Sequence, residues 1–242
     1  TLNLLRSFAQ GGFANLRKVN SWNMGFVKAS KEGKKYEKIA AKINEYLDFM
    51  DAVGVNTSTV IDLNTVEFFT SHEGLHLPYE AALTRVDSLT NEVYCTSAHF
   101  IWLGDRTRFV DSAHVEFCRG ISNPIGIKCG PSLDPDELVK IIETINPANE
   151  AGKISLIFRY GEDNIDKHLP GLVETITKNN KNVLWISDPI HGKTVKSSSG
   201  LKNRDFNSLL NETSKAIKIL KDKGCHLGGI HLEMTGQNVT EC

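Results

Sequence analysis

Charged and metal-binding side chains follow six short apolar runs in this chain of 242 residues. The runs are VEFFTSHE, FIWLGDR, PIGIKCG, SLIFRYG, VLWISDPIH and GIHLEMTG. Their C-terminal ends carry Glu73, Asp105, Arg106, Lys128, Arg159, Asp188, His191, His231 and Glu233. Carboxylates, cations and imidazoles can transfer protons, neutralise anions and bind divalent metals. The pattern therefore predicts an active site assembled where several strands end.

Three cations end consecutive runs and predict an anion pocket, defined by Arg106, Lys128 and Arg159. A cation at the end of a buried strand is costly unless an anion accompanies it. A ligand that carries both phosphate and carboxylate would suit three convergent cations. The alternative is that each cation pairs with a neighbouring acid such as Asp105, and the residues alone leave both possibilities open.

An imidazole and a carboxylate, His191 and Glu233, lie on the last two runs. Both are common metal ligands, but two ligands make only half a metal site. The others would come from outside this chain or from residues such as His231 or Asp188. A single histidine is more often a core residue than a ligand, so this pair does not define a metal site by itself.

Helical patterns lie between most of the apolar runs. KKYEKIAAKINEYLDFMDAVG has the apolar spacing of an amphipathic helix, and Asp134 and Asp205 precede two further helical segments as capping residues. Pro170 is expected to kink or split the helix in NIDKHLPGLVETITK. Strands that alternate with helices predict an α/β fold, a (β/α)8 TIM barrel. About six of its eight strands are recognisable, so the barrel is predicted to be incomplete.

Composition narrows the classes of protein. Lys and Arg number 28 and Asp and Glu number 29, which gives a net charge of -1 and makes nucleic acid an unexpected partner. The five cysteines form no CxxC pair, which favours a reducing cytoplasm. No apolar run reaches the roughly 18 residues of a membrane span. The chain begins at Thr1 and ends after an apolar run, so we expect an internal fragment.

The chain resembles the class II (plant and actinobacterial type) 3-deoxy-D-arabino-heptulosonate 7-phosphate (DAHP) synthases over nearly its whole length. The resemblance rests on blocks in the same order: TSHEGLHLPYEAALTR, GDRTR, AHVEFCRGISNPIGIKCGPS, DPIHGKT, SSSGLK and GGIHLEMTGQNVTEC. It implies a (β/α)8 barrel transferase that condenses phosphoenolpyruvate with erythrose 4-phosphate in the shikimate pathway to aromatic amino acids. It also implies a divalent metal, Mn²⁺ or Co²⁺, and a homo-oligomer in the cytoplasm or, in a plant, the plastid.

The resemblance also implies roles for individual residues. Arg106, Lys128 and Arg159 would bind the phosphate and carboxylate of phosphoenolpyruvate, and His191 and Glu233 would bind the metal. Further residues complete the predicted site: Asp188 toward the sugar hydroxyls, Glu73 and Asp105 along the cavity, and Trp102 in its wall. Three residues are expected to act in catalysis. Lys128 would be the proton donor, Glu73 would handle the water that adds at C2, and His191 is the third.

The chain departs from the family pattern in ways that bear on activity. The family's cysteine metal ligand, its KPRS phosphate loop and its aspartate ligand have no counterpart in this sequence. We therefore expect one partial barrel domain over 1–242, with 1–60 as a helical segment before the third barrel strand, and an isolated chain without activity. The rival hypotheses are a phosphometabolite-binding or assembly protein on a degenerate barrel, and a different metal-dependent barrel aldolase.

Overall fold

The computed structural model describes residues 2–13, 15, 17–18, 33–63, 65, 67–192, 195–196 and 202–233. They belong to two compact units, Thr1–Thr70 and Ser71–Cys242. The SSSGLK block, apart from its last residue, and the end of the chain after Glu233 lie outside the described residues. The single catalytic domain over 1–242 stays a prediction.

The described residues of the first unit form helices joined by turns and irregular segments. Its helices are α1 (Leu2–Phe8), a π-helical turn (Ala9–Phe13), α2 (Gly33–Ala52) and a 3-10 turn (Ile61–Leu63). Gly12 and Gly54 have φ angles of 83°, which glycine adopts without a steric penalty. Gly54 follows the amphipathic helix that the apolar spacing predicted, so α2 ends close to where the sequence indicated.

The second unit alternates strands and helices. Its strands are β1 (Ser71–Glu73), β2 (Thr84–Val86), β3 (Val93–Cys95), β4 (Phe100–Leu103), β5 (Ile125–Cys129), β6 (Ile154–Phe158), β7 (Leu184–Ser187), β8 (Val195–Lys196), β9 (Lys202–Asn203) and β10 (Leu227–Ile230). Its helices are α3 (Leu77–Ala82), α4 (Ala113–Arg119), α5 (Pro135–Ile145), α6 (Ile165–Lys178) and α7 (Phe206–Asp222).

Six strands form one sheet in the order β1-β4-β5-β6-β7-β10. Every neighbouring pair is parallel, and β5 pairs with β6 over five positions, from Ile125 with Ile154 to Cys129 with Phe158. These are the six runs singled out in the sequence, so the parallel α/β fold is confirmed. Within the described residues β1 and β10 do not pair with each other, and the sheet corresponds to part of a (β/α)8 barrel.

Local signals in the sequence set the helix boundaries. Asp134 and Asp205 accept hydrogen bonds from the first-turn amides of α5 and α7, as capping residues do. Ser112 does the same for α4. Pro170 was expected to kink or split its helix, but α6 runs through it from Ile165 to Lys178. The apolar face of α6 is buried on both sides of the proline, so packing holds the helix together there.

The core lies between the parallel sheet and its helices. All five residues of β5 and of β6 are buried, as in sheets that helices cover. The facing side of α5 is equally apolar, with Leu138, Ile141 and Ile142 inaccessible to solvent. Two antiparallel pairs, β2 with β3 and β8 with β9, were not predicted. None of the described helices is long and apolar enough to cross a bilayer.

Candidate active site

One cavity of about 670 Å³ opens at the C-terminal ends of the parallel strands. Nine residues were predicted for the site, and eight line this cavity: Glu73, Trp102, Asp105, Arg106, Lys128, Arg159, His191 and Glu233. The ninth, Asp188, lies behind it with no solvent-accessible surface. The strands thus bring together side chains that are up to 160 positions apart in sequence, from Glu73 to Glu233.

A buried carboxylate joins the lysine of the anion pocket to the histidine. The ammonium of Lys128 donates a hydrogen bond to Oδ2 of Asp188. Nδ1 of His191 lies 2.9 Å from each Asp188 oxygen, and the His191 backbone N–H donates to Oδ1. Asp188 therefore orients both side chains toward the cavity rather than contacting the cavity itself.

The electrostatics of this group keep Asp188 ionised. Burial alone would raise the pKa of Asp188, but hydrogen bonds from His191 and Lys128 outweigh burial and lower the pKa to about 2. The hydrogen bond that the His191 ring donates to Asp188 also raises the pKa of His191. Protons should therefore bind to the imidazole before they bind to the carboxylate.

His191 and Glu233 meet at the cavity. Nε2 of His191 is 2.9 Å from Oε2 of Glu233, while Nδ1 faces Asp188. Metal-bound histidines commonly have a carboxylate on the nitrogen away from the metal, so the pair suits a divalent cation. Within the described ranges no group of three His, Cys, Asp or Glu side chains could hold a metal. The donors present thus fit part of a coordination shell.

His231 is a further cavity residue, which the sequence raised only as a possible additional ligand. Burial lowers the pKa of His231, so its imidazole is neutral near pH 7. Its ring meets the Trp102 ring edge-on at 5.1 Å. Nζ of Lys128 lies 5.6 Å from the centre of the same indole. Trp102 therefore shapes the wall between the lysine and the histidines.

Asp105 links two arginines. Its Oδ1 accepts from Nε of Arg108 at 3.0 Å, and its Oδ2 accepts from Nε of Arg159 at 2.7 Å. One alternative left open by the sequence was that a cation of the anion pocket pairs with Asp105. Arg159 does so, and it also lines the cavity. Arg106 is exposed at the rim and forms no ion pair with any described residue.

Arg108 is a site residue that the sequence reasoning did not single out. It is 3% exposed, and the signal was its position three residues after Asp105 in the GDRTR block. Arg108 pairs with Asp105, as Arg159 does. The cavity lining contains the three cations of the anion pocket and an equal number of carboxylates, so the cations form a local cluster in a cavity without an excess of positive charge.

Two glycines make room for the acidic side chains. A Cβ on Gly104 would lie 2.0 Å from Oε1 of Glu73, and one on Gly130 would lie 2.6 Å from Oδ2 of Asp105. Both are closer than real Cβ contacts. The glycines of the GDR and KCG segments are therefore needed for the positions of Glu73 and Asp105.

The fold and the site define a class of protein: an α/β protein of partial barrel type, with a cluster of cations and an imidazole–carboxylate pair at the C-terminal ends of its parallel strands. Enzymes of barrel architecture place their chemistry at this face. The chain belongs to the Class-II DAHP synthetase family, whose sequence profile matches residues 1–242.

Curated relatives agree with this membership. The chain is 48% identical over 242 residues to a protein of Streptomyces coelicolor named phospho-2-dehydro-3-deoxyheptonate aldolase. Proteins of the same name from Neurospora crassa and Mycolicibacterium smegmatis are 43% and 40% identical over 258 and 246 residues. Each match covers 100% of this chain but 53%, 53% and 52% of the relative. The chain spans about half the length of the curated relatives it matches.

Proposed function

We propose that this chain forms part of a DAHP synthase, which condenses phosphoenolpyruvate with erythrose 4-phosphate and releases phosphate. The observation that carries the proposal is the convergence of the anion pocket and the Lys128–Asp188–His191 group on one cavity. The relatives' shared name supports the same activity.

Phosphoenolpyruvate would bind against Arg106, Lys128 and Arg159. Guanidinium groups bind carboxylate and phosphate oxygens in pairs, and the lysine supplies a compact third charge. Asp105 holds Nε of Arg159 at 2.7 Å, which fixes the direction of the guanidinium before the ligand arrives. Such preorganisation reduces the entropy lost on binding.

His191 and Glu233 are the residues that would hold a divalent metal, for which we propose Mn²⁺ or Co²⁺. When bound, the metal would supply Lewis-acid polarisation of the aldehyde oxygen of erythrose 4-phosphate. Asp188 positions the imidazole through Nδ1, which leaves Nε2 directed to the cavity. The sequence assigned Asp188 to the sugar hydroxyls, whereas its burial supports a positioning role.

Lys128 is the proposed proton donor. As C3 of phosphoenolpyruvate bonds to the aldehyde carbon, the aldehyde oxygen gains negative charge and takes a proton from the ammonium. Asp188 orients that ammonium through its hydrogen bond. Water then adds at C2 and gives a proton to Glu73. The C2–O bond to phosphate breaks, phosphate leaves with the bonding electrons, and the C2 hydroxyl gives its proton to the leaving phosphate as C2 becomes a carbonyl.

The test is phosphate release by the full-length protein that carries this chain. Phosphoenolpyruvate is supplied with and without erythrose 4-phosphate, and with metal added or chelated. Release that needs both the sugar phosphate and the metal would support the synthase. A folded, metal-loaded protein that binds phosphoenolpyruvate but releases no phosphate would support the non-catalytic binding protein instead.

A further inference from the structure

Glu212 is a buried carboxyl group that the proposed reaction does not use. It lies on α7, is 1% exposed, and accepts a hydrogen bond from the backbone N–H of Gly161 at 2.9 Å. The backbone N–H of Tyr160 also donates to it. Both amides belong to the loop that directly follows Arg159 and β6.

Two less buried neighbours on α7, exposed Asn211 and half-buried Lys215, contact the same loop. Nδ2 of Asn211 donates to the side chain of Glu162 at 2.8 Å, and Nζ of Lys215 donates to the Glu162 carbonyl at 3.0 Å. Solvent competes for both of these contacts. Glu212 is the buried member of the group, so its hydrogen bonds contribute most to holding the loop.

The loop after β6 is packed against the loop after β7. A Cβ on Gly192 would lie 2.3 Å from the backbone N of Gly161, so the two loops leave no room for a side chain at position 192. Nη1 of Arg159 also reaches the carbonyl of His191 at 3.4 Å. A shift of Gly161 would therefore be transmitted to Gly192 and to the neighbouring His191.

We propose that Glu212 is a positioning residue, which fixes Arg159 and His191 by holding the backbone between Arg159 and Gly161. The carboxylate supplies two acceptor oxygens to two amides that would otherwise be buried without partners. It touches neither substrate nor metal and acts through the loops that carry those side chains. The effect on phosphoenolpyruvate rests on the function proposed above.

The charges around Glu212 give the proposal a signature. Burial raises the pKa of Glu212 to about 7, against the lowering effect of the two amides, and the carboxylates of Asp188 and Glu162 raise it further. A raised pKa means that the packed arrangement favours the protonated carboxyl over the ionised one. The loops should therefore be held less firmly as the pH rises through neutrality.

Hydrogen exchange tests the positioning without any ligand. In the full-length protein, Glu212→Ala should speed exchange about tenfold in peptides that cover residues 159–162 and 189–192, since a charge-assisted hydrogen bond is lost. Asn211→Ala, the exposed neighbour, should leave both peptides unchanged. Unchanged exchange in both peptides of Glu212→Ala would overturn the proposal.

Affinity for phosphoenolpyruvate, measured by calorimetry, tests the consequence. Glu212→Gln keeps the shape of the side chain and one acceptor oxygen. This variant can therefore replace Glu212→Ala in both experiments if the alanine variant fails to fold. The ratio of wild-type to Glu212→Gln affinity should fall between about pH 6 and pH 8, because Glu212 ionises only in the wild type. The titrations of phosphate and His191 occur in both proteins and cancel. A constant ratio would contradict the proposal. A wild type that binds no phosphoenolpyruvate would refute the proposed function, while the exchange data would still decide the role of Glu212.

Discussion

Lys128 donates a hydrogen bond to Asp188 across β6, the strand that Arg159 follows. The two residues are 60 positions apart, and Lys128 lies on β5 while Asp188 directly follows β7, a strand that does not pair with β5. One carboxylate thus connects the proposed proton donor with His191, a proposed metal ligand. Replacing Asp188 should therefore affect both the proposed proton donation by Lys128 and the proposed metal binding by His191. Replacing Lys128 or His191 should affect only one of these two functions directly.

Lys128→Met should reduce turnover by about a hundredfold or more, because the proton donor is lost. The substitution keeps an unbranched apolar side chain and removes the ammonium, which lies 5.6 Å from the centre of the Trp102 ring. Steady-state phosphate release by the full-length protein measures the effect. Lys140→Met, on the exposed side of α5, is the matched control and should leave turnover unchanged. Activity near wild type in Lys128→Met would exclude this lysine as the donor.

Asp188→Asn should lower the pKa of His191, since the hydrogen bond to Asp188 is the largest cause of its raised value. It should also weaken divalent metal binding about 10- to 100-fold, as losses of carboxylates behind metal-bound histidines do. NMR titration of the imidazole and metal titration by calorimetry measure the two effects. Glu116→Gln removes an exposed carboxylate on α4 and should change neither. An unchanged His191 pKa would mean that the two side chains are not coupled.

Glu212→Gln should alter how stability depends on pH. The pKa of Glu212 rises from 4.5 to about 7 on folding. A raised folded-state pKa adds stability that is complete below the unfolded pKa and is lost as the pH rises through the folded pKa. The loss is about 3 kcal/mol between those two values. Denaturant unfolding should therefore show the wild type losing stability relative to Glu212→Gln from about pH 5 to pH 7.5. Parallel profiles for the two proteins would be the contrary result.

Gly130→Ala should weaken phosphoenolpyruvate binding, because its Cβ would lie 2.6 Å from Oδ2 of Asp105. The displaced carboxylate would no longer hold Arg159. Gly171→Ala is the matched control, since a Cβ there meets nothing within 4 Å. Replacing a helical glycine by alanine should stabilise the protein by about 0.5–1 kcal/mol. Calorimetry and thermal melting separate the two outcomes, and equal affinity in both variants would contradict the role of Gly130.

The sequence predicted the main elements because the signals for them are local. Each strand of the parallel sheet appears as a short apolar run, and parallel strands place their C-terminal ends at one edge. Glu73, Lys128 and Arg159 therefore met at one cavity as expected. The caps Asp134 and Asp205 were equally local signals.

The arrangement within the site could not be predicted because it depends on turns and on contacts between distant elements. Asp188 follows a strand like the other site residues, but its turn brings the amide of His191 back to it and encloses its side chain. The sequence also could not show that Arg159 pairs with Asp105, because that ion pair joins the segment after β4 to the segment after β6. Nothing in the pattern around Glu212 indicated that this helix position faces a loop.

Two ion pairs that build the cavity join residues that are distant in sequence, which has a consequence for folding. Lys128 and Asp188 are 60 residues apart, and Asp105 and Arg159 are 54 apart. The chain must close each of these loops before the charges can be neutralised, whereas the helices form from near neighbours. In single-tryptophan variants, the fluorescence of Trp102 in the cavity wall should therefore change after that of Trp185 in the core. The active site would be the last part of the sheet to become ordered during folding.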